Sequence, residues 1–291
     1  MEAKSVNLSE WEEFGAGGIG RSYFNKTDDS VILKLNAENW PKEKTELEVI
    51  YSQEVQKLGL PTPSVYSFVT DGTRYGHIDQ RIKGKKSMAR IMSQDPSKIE
   101  EFAKVMAQMT RQLNETKCNT EVFQNLVTAY TEAIETIPCS EDIKKQLRAY
   151  MAMMENTDGC LHGDLQPGNV ITAEGKFYWI DLGTFGYGDP CLDFGNMYLL
   201  LYIMPPQLVK SLFHMKHKDF ERFFQLYLRY YYGGEPSAEV MEKIKGSAYV
   251  KAGIVVGKFP KIGKMILPLL EGKTIKFKLI RFIASFAKIE L

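Results

Sequence analysis

Up to about Arg81 the chain alternates apolar and polar residues in short runs, the period of half-buried strands. Arg21-Ser22-Tyr23-Phe24 and Val31-Ile32-Leu33-Lys34-Leu35 flank the turn-forming stretch Asn25 to Ser30, which predicts a hairpin. From Glu43 to Leu58 the pattern changes. Leu47, Ile50, Tyr51, Val55 and Leu58 recur at the spacing of an amphipathic helix, and Leu60-Pro61-Thr62-Pro63 stops it. Two further strands, Val65 to Val69 and Tyr75 to Ile78, follow with Asp71-Gly72 as their turn. Residues 1–81 therefore read as a small antiparallel sheet with one helix.

Beyond about Gly84 the pattern becomes mostly helical. Phe102, Met106, Met109 and Leu113 mark one helical face. Ser140, followed by Glu141 and Asp142, opens another helix, with the hydroxyl expected to cap it and the acids to complement its dipole. Helical patterns resume near Leu192. The stripe Phe220, Phe223, Phe224, Tyr227 and Tyr230 to Tyr232 is read chiefly as core, with a substrate-facing aromatic wall as the other reading. Gln80 to Lys86 is the expected hinge between a first lobe, 1–81, and a helical second lobe, 82–291. The fold class is then α+β and bilobal, with a cleft suited to a nucleotide.

Composition narrows the picture without changing it. A chain of 291 residues with 44% hydrophobic and 25% charged residues is an ordinary globular protein, and its net charge of +1 exerts no global pull toward nucleic acid or membrane. Met1 to Ser5 lacks the layout of a signal peptide, and the most apolar stretch, Asn196 to Pro205, is too short to span a bilayer. Cys118, Cys139, Cys160 and Cys191 are scattered with no Cys-x-x-Cys pair, so reduced thiols in a cytoplasm are expected.

The candidate chemistry lies in Leu161-His162-Gly163-Asp164-Leu165-Gln166-Pro167-Gly168-Asn169. An acid is followed five positions later by an amide, and then by a second acid, Asp181, behind the apolar run Trp179-Ile180. Gly175 to Ile180 reads as the returning arm of a hairpin that sets Asn169 opposite Asp181. Phosphoryl transfer from ATP needs this set: one carboxylate to accept the proton of the attacking hydroxyl, and an Asn and an Asp to hold the metal bridging the phosphates. Asp164 as a turn carboxylate and Asp181 as a hairpin cap are the bland readings. His162 is read as a brace for the loop. Gly15, Gly17 and Gly20 form a Gly-x-Gly-x-x-Gly segment between strand-like runs, which suits a cover over phosphates better than a Rossmann turn or a plain flexible loop. Lys34, in an apolar strand, either faces solvent or holds phosphates and pairs with a helix acid. Glu48 is the acid chosen, since it shares a helical face with Tyr51 and Val55. Gly188-Asp189-Pro190-Cys191-Leu192-Asp193 reads as a helix entry that fixes the loop carrying Asp181.

These residues resemble those of the aminoglycoside phosphotransferase and choline kinase family, the small-molecule branch of the protein-kinase-like fold. The likeness runs through Gly15 to Gly20, Lys34, Glu48, the Gly59 to Pro63 break, Gly84, His162 to Asn169, Ile180 to Gly183 and Gly188 to Asp193. It implies an ATP- and Mg²⁺-dependent kinase acting on a small-molecule hydroxyl. Asp164 would be the base, Asn169 and Asp181 the Mg²⁺ ligands, and Lys34 the phosphate anchor. Gln80, Arg81 and Ile82 would offer backbone hydrogen bonds to adenine. Gly163 stands where a protein kinase carries an Arg that reads a phosphorylated loop, and no Ala-Pro-Glu follows Asp181, so switching by loop phosphorylation is not expected.

From Phe194 onward sixteen Lys and Arg face seven Asp and Glu, a surplus of nine positive charges. A polycationic aminoglycoside wants the opposite sign, so a neutral or anionic hydroxyl compound is the expected acceptor. Two alternatives remain: a true aminoglycoside resistance kinase and a nucleotide-binding regulator without turnover. The intact Lys34, Asp164, Asn169 and Asp181 speak against the second.

Overall fold

The structure is a computed structural model that describes residues 1–16, 20–137, 139–204, 210 and 213–257. The chain divides into two compact units, one of residues 1–86 with 169–184 and the other of 87–168 with 185–291.

In the first unit, β1 (Lys4–Ser5), β2 (Trp11–Ala16), β3 (Gly20–Asn25), β4 (Val31–Asn36), β5 (Val65–Thr70) and β6 (Tyr75–Gln80) form one sheet in the order β1-β5-β6-β4-β3-β2. All pairings are antiparallel except the two-residue β1, which runs parallel to β5. Leu33 and Leu35 of β4 point into a core with Trp11, Tyr23 and Val69, so Ile32 and Lys34 project from the opposite face of the sheet. The central strand is closely flanked. A Cβ at Gly20 would lie 2.2 Å from the Leu35 carbonyl oxygen, and one at Gly76 would lie 1.9 Å from that of Lys34. Glycine is needed at both places because backbone meets backbone there.

The predicted helix is present as α1 (Lys42–Lys57), but its buried face is shifted. Thr45, Val49, Tyr51, Ser52 and Val55 are buried, whereas Leu47 is exposed. Buried Thr45 fits against the sheet because its hydroxyl finds a partner: Asn36 Nδ2 donates to Thr45 Oγ1 at 2.8 Å. The turn before β6 is held by Asp71, whose Oδ1 accepts the N–H groups of Thr73 and Arg74 at 3.0 and 2.7 Å. The Arg74 guanidinium closes on its other oxygen at 2.7 Å. The predicted late hairpin pairs Val170–Ala173 with Lys176–Trp179, and Glu174 and Gly175 turn it with φ of 51° and 76°. Two positive φ values make the two-residue turn that matches strand twist.

The second unit contains α2 (Met88–Gln94), α3 (Ile99–Glu115), α4 (Leu126–Ala133), α5 (Glu141–Met151), α6 (Cys191–Tyr198), α7 (His217–Tyr232) and α8 (Ala238–Gly257). Phe102, Met106, Met109 and Leu113 form the buried face of α3, as their spacing predicts, and pack on α7 through Phe220, Phe223 and Tyr227. The Tyr227 hydroxyl donates to Thr110 Oγ1 at 3.0 Å, which satisfies two buried polar groups at once. Ser140 does precede α5, but its side chain makes no capping bond; its carbonyl accepts from Ile143 and Lys144 instead. Helices α6 and α8 pack so closely that a Cβ at Gly195 would lie 1.9 Å from Ser247 Oγ. A three-stranded ribbon of Gln124–Asn125, Gly186–Tyr187 and Cys160–Leu161 delivers the chain to His162. Among the described residues no helix is long and apolar enough to cross a membrane, and the four cysteines are free.

Candidate functional site

The first unit gathers charged side chains on the face of its sheet opposite Leu33 and Leu35. In the antiparallel pairing of β4 and β6, Lys34 lies opposite His77, and Asp79 follows two residues along on the same face. Lys34 Nζ is 3.0 Å from Asp79 Oδ2, and the other Asp79 oxygen meets His77 Nδ1 at 2.5 Å. His77 Nε2 lies 3.8 Å from a Glu48 oxygen on α1. His77 and Asp79 are each only 4% exposed. Burial alone would raise the Asp79 pKa, but His77 and Lys34 outweigh it and hold the carboxyl far below the usual range. Burial alone would likewise lower the Lys34 pKa; Asp79, with Asp181 and Glu48, reverses that and raises it.

Lys34 therefore pairs with Asp79, a correction to the expected pairing with Glu48. Neighbouring strands bring cross-strand side chains into direct contact, whereas Glu48 approaches from the helix and meets His77 instead. Glu48 still shares a cavity of about 280 Å³ with Gly20, Ser22, Lys34, His77 and Asp181.

Of the predicted phosphate cover, Gly15 lies in β2 and Gly20 opens β3, while Gly17 falls outside the described residues. At the end of β6, the Gln80 N–H donates to the Ser64 carbonyl and the Arg81 N–H to that of Ser30, both at 2.7 Å. Those two donors are taken by neighbouring chain, so the expected backbone hydrogen bonds to adenine do not come from them; half-buried Ile82 follows. The Arg81 guanidinium lies over the Phe24 ring at 3.8 Å and pairs with Asp29.

Asn169 and Asp181 are brought together by the late hairpin, where the Ile180 N–H donates to the Asn169 carbonyl at 3.0 Å. Asn169 is buried. Asp181 is exposed at the rim of the cavity, in a left-handed conformation with φ 60°. Both offer oxygen donors, the kind that suits Mg²⁺. Among the described residues no cluster of three or more His, Cys, Asp or Glu could hold a metal on its own. Two protein oxygens fit a cation that shares the remainder of its shell with phosphates and water.

The second unit holds Asp164. Asn196 Nδ2 on α6 donates to Asp164 Oδ1 at 2.9 Å and to the Leu165 carbonyl at 3.1 Å. One turn earlier, buried Asp193 accepts the N–H groups of His162 and Gly163, each at 2.8 Å. Burial raises the Asp193 pKa, against the pull of His162, the two N–H groups and Lys251. His162 is fully buried, and its Nδ1 accepts the Asp164 N–H at 3.3 Å, the bracing role expected of it. Lys251 on α8 donates to the Gly163 carbonyl at 2.7 Å, and its ammonium lies 4.0 Å from Asp164 Oδ1. Asp193, at the end of the Gly188 to Asp193 helix entry, thus fixes the Asp164 loop, a correction to the expectation that this entry holds the loop carrying Asp181.

Sequence reasoning passed over His77, Asp79, Asn196 and Lys251, and each left a signal. His77 and Asp79 are polar residues two apart in a buried strand. Asn196 follows Asp193 by three on a helix otherwise filled with apolar residues. Lys251 interrupts the run Ala248-Tyr249-Val250-Lys251-Ala252.

The model of the phosphotransferase enzyme family (APH) matches residues 10–239. Over 120 residues the chain is 30% identical to a KEOPS complex subunit Bud32 from Pyrococcus abyssi (strain GE5 / Orsay). That match covers 39% of this chain and half the length of the relative. Among solved structures, a choline/ethanolamine kinase family protein from Mesorhizobium loti superposes with a TM-score of 0.60 at 13% identity, over 96% of this chain and 87% of that one. The streptomycin–ATP ternary complex of APH(2'')-IIa gives a TM-score of 0.57 at 14% identity, over 96% and 91%. Both likenesses are of fold, and the fold is that of the protein-kinase-like phosphotransferases, α+β with a sheet-bearing N-terminal region and a helical C-terminal region.

Proposed function

The chain belongs to the phosphotransferase enzyme family, and from that premise we propose that it transfers the γ-phosphoryl group of ATP, with Mg²⁺, to a hydroxyl of a small molecule. One observation carries the reading: Asp164 is a half-buried carboxylate oriented at 2.9 Å by Asn196, the arrangement of a base held by a second group. In this reading residues 1–81 bind the nucleotide, and 82–291 carry the catalytic loop and the acceptor site. Lys34, set by Asp79, would hold phosphate oxygens, with Glu48 beside the same cavity and Gly15, Gly17 and Gly20 covering the phosphates. Asn169 and Asp181 would hold the metal. When bound, Mg²⁺ supplies charge neutralisation of the phosphates. Asp164 then accepts the proton of the attacking hydroxyl. The free cysteines suit a cytoplasmic setting.

For the acceptor we infer a neutral or anionic hydroxyl compound. The Lys251 ammonium stands 4.0 Å from Asp164, a local positive charge that opposes a polycation. The C-terminal surplus of basic residues points the same way, although its members from Lys258 to Lys288 fall outside the described residues. The likeness to a streptomycin-bound kinase favours an aminoglycoside as the rival acceptor. A thermal-shift screen of hydroxy acids, sugars and aminoglycosides, run with a non-hydrolysable ATP analogue and Mg²⁺, separates the two. Stabilisation by hydroxy acids or sugars followed by ATP consumption is expected. Stabilisation by kanamycin that strengthens at low salt would overturn the acceptor class, and a protein that binds no nucleotide would overturn the kinase.

A further inference from the structure

The side chain of Lys251 is 16% exposed, on a stretch of α8 where Val250 and Ala252 are fully buried. Burying an ammonium costs free energy, so its place needs a reason. The Gly163 carbonyl takes one of its three N–H donors at 2.7 Å. Asp164 Oδ1, at 4.0 Å, is too far for a hydrogen bond and acts as an electrostatic neighbour. The catalytic loop from His162 to Asn169 contains no Lys or Arg of its own. The cation beside the base is thus supplied from a helix almost ninety residues downstream.

We infer that Lys251 is a catalytic residue that contacts the phosphoryl group in flight. The inference rests on the kinase reading above. In that reaction the bond from the γ-phosphorus to the bridging oxygen breaks and its electrons leave with ADP. A bond from the acceptor oxygen to phosphorus forms, and the hydroxyl proton passes to Asp164. The acceptor oxygen must come within about 2.6–3.2 Å of the base, and the phosphorus within about 3–3.5 Å of that oxygen. A positive charge 4.0 Å from the same carboxylate would lie within reach of the bond being made. Charge in this transition state spreads over the three equatorial oxygens of the phosphoryl group, where a fixed cation stabilises it more than in the ground state. The hydrogen bond to Gly163 holds the ammonium in place before the reaction, so no reorganisation is needed when the charge develops.

The test compares ground-state and transition-state mimics in wild type, Lys251→Met and Lys251→Gln. The Gln variant keeps a donor for the Gly163 carbonyl but carries no charge, so it separates electrostatics from bracing. With Mg²⁺ present, affinities are measured for AMP-PNP and for ADP with aluminium fluoride, whose planar anion imitates the transferring group. Slow ATP hydrolysis, with water as acceptor, gives kcat and KM. Both variants are expected to bind AMP-PNP within about twofold of wild type, while ADP–aluminium fluoride binding and kcat each fall about a hundredfold, the scale of losing one oriented donor. Equal losses for both mimics, or a Gln variant that behaves as wild type, would overturn the inference and leave Lys251 as a brace. Wild type that binds neither mimic would overturn the kinase reading and this inference with it.

Discussion

Lys34 on β4 and Asp79 on β6 form an ion pair at 3.0 Å, with Glu48 turned instead toward His77 at 3.8 Å. Lys34 is anchored from within its own sheet. Asp79→Ala leaves both Lys34 and buried His77 without this carboxylate. A loss of about 2 kcal/mol in unfolding free energy is expected, below the full penalty of a broken buried pair because Lys34 is partly solvated. Glu48→Ala should cost clearly less. Urea unfolding of the two variants decides it; a larger loss for Glu48→Ala would reverse the assignment.

Asp164→Asn keeps shape and removes the proposed proton acceptor. Turnover should fall by roughly a hundredfold or more while ATP affinity changes little. Steady-state kinetics with calorimetry measure both. A fully active Asn variant would reduce Asp164 to a turn carboxylate.

Asn169 and Asp181 offer two oxygen donors, too few to hold a cation alone, so metal and nucleotide should bind as one unit. ATP affinity is expected to drop on chelation of Mg²⁺ and to drop similarly in Asp181→Ala with Mg²⁺ present. Chelation should then have little further effect on the variant. Unchanged affinity in all of these samples would exclude the proposed metal role.

Asp71 supplies a pH dependence. Burial alone would raise its pKa, but the N–H groups of Arg74 and Thr73 and the Arg74 guanidinium outweigh it and lower the pKa to about 2. A carboxylate depressed in the folded state stabilises fully above its unfolded value, near 3.9, and that contribution is lost as pH falls through about 2. Wild type should melt above Asp71→Asn by a constant margin from pH 7 to about 5, and the margin should shrink as the solution is acidified below 4. A margin that grows with acid would contradict the sign.

Much of the fold was legible because it rests on local periodicity. The Arg21 to Leu35 hairpin, the face of α3 and the Val170 to Trp179 hairpin each follow from spacing and turn residues alone. The burial phase of α1 did not, since Thr45 and Ser52 are buried and Leu47 is exposed, a choice made by the sheet surface facing the helix. Capping at Ser140 failed because the Ser carbonyl already takes two N–H groups and the hydroxyl is not used. Within the candidate site, the loop motif singles out Asp164, Asn169 and Asp181 as the candidates. Their supports come from far along the chain. Asp79 reaches Lys34 through strand pairing, and Lys251 reaches Gly163 from a helix 88 residues away, relations that no local pattern encodes.

The carboxyl group of Asp193 alone takes the amide hydrogens of two consecutive residues, His162 and Gly163, just before Asp164. Neither amide can trade its hydrogen with deuterated solvent while that grip lasts. Local opening would have to expose a buried charge and two amides together, so the isotope clock at these positions should run with the opening of the helical unit as a whole rather than with loop fluctuation. The His162 to Asp164 loop is in that sense part of the helical core, and its geometry persists for as long as α6 stays packed.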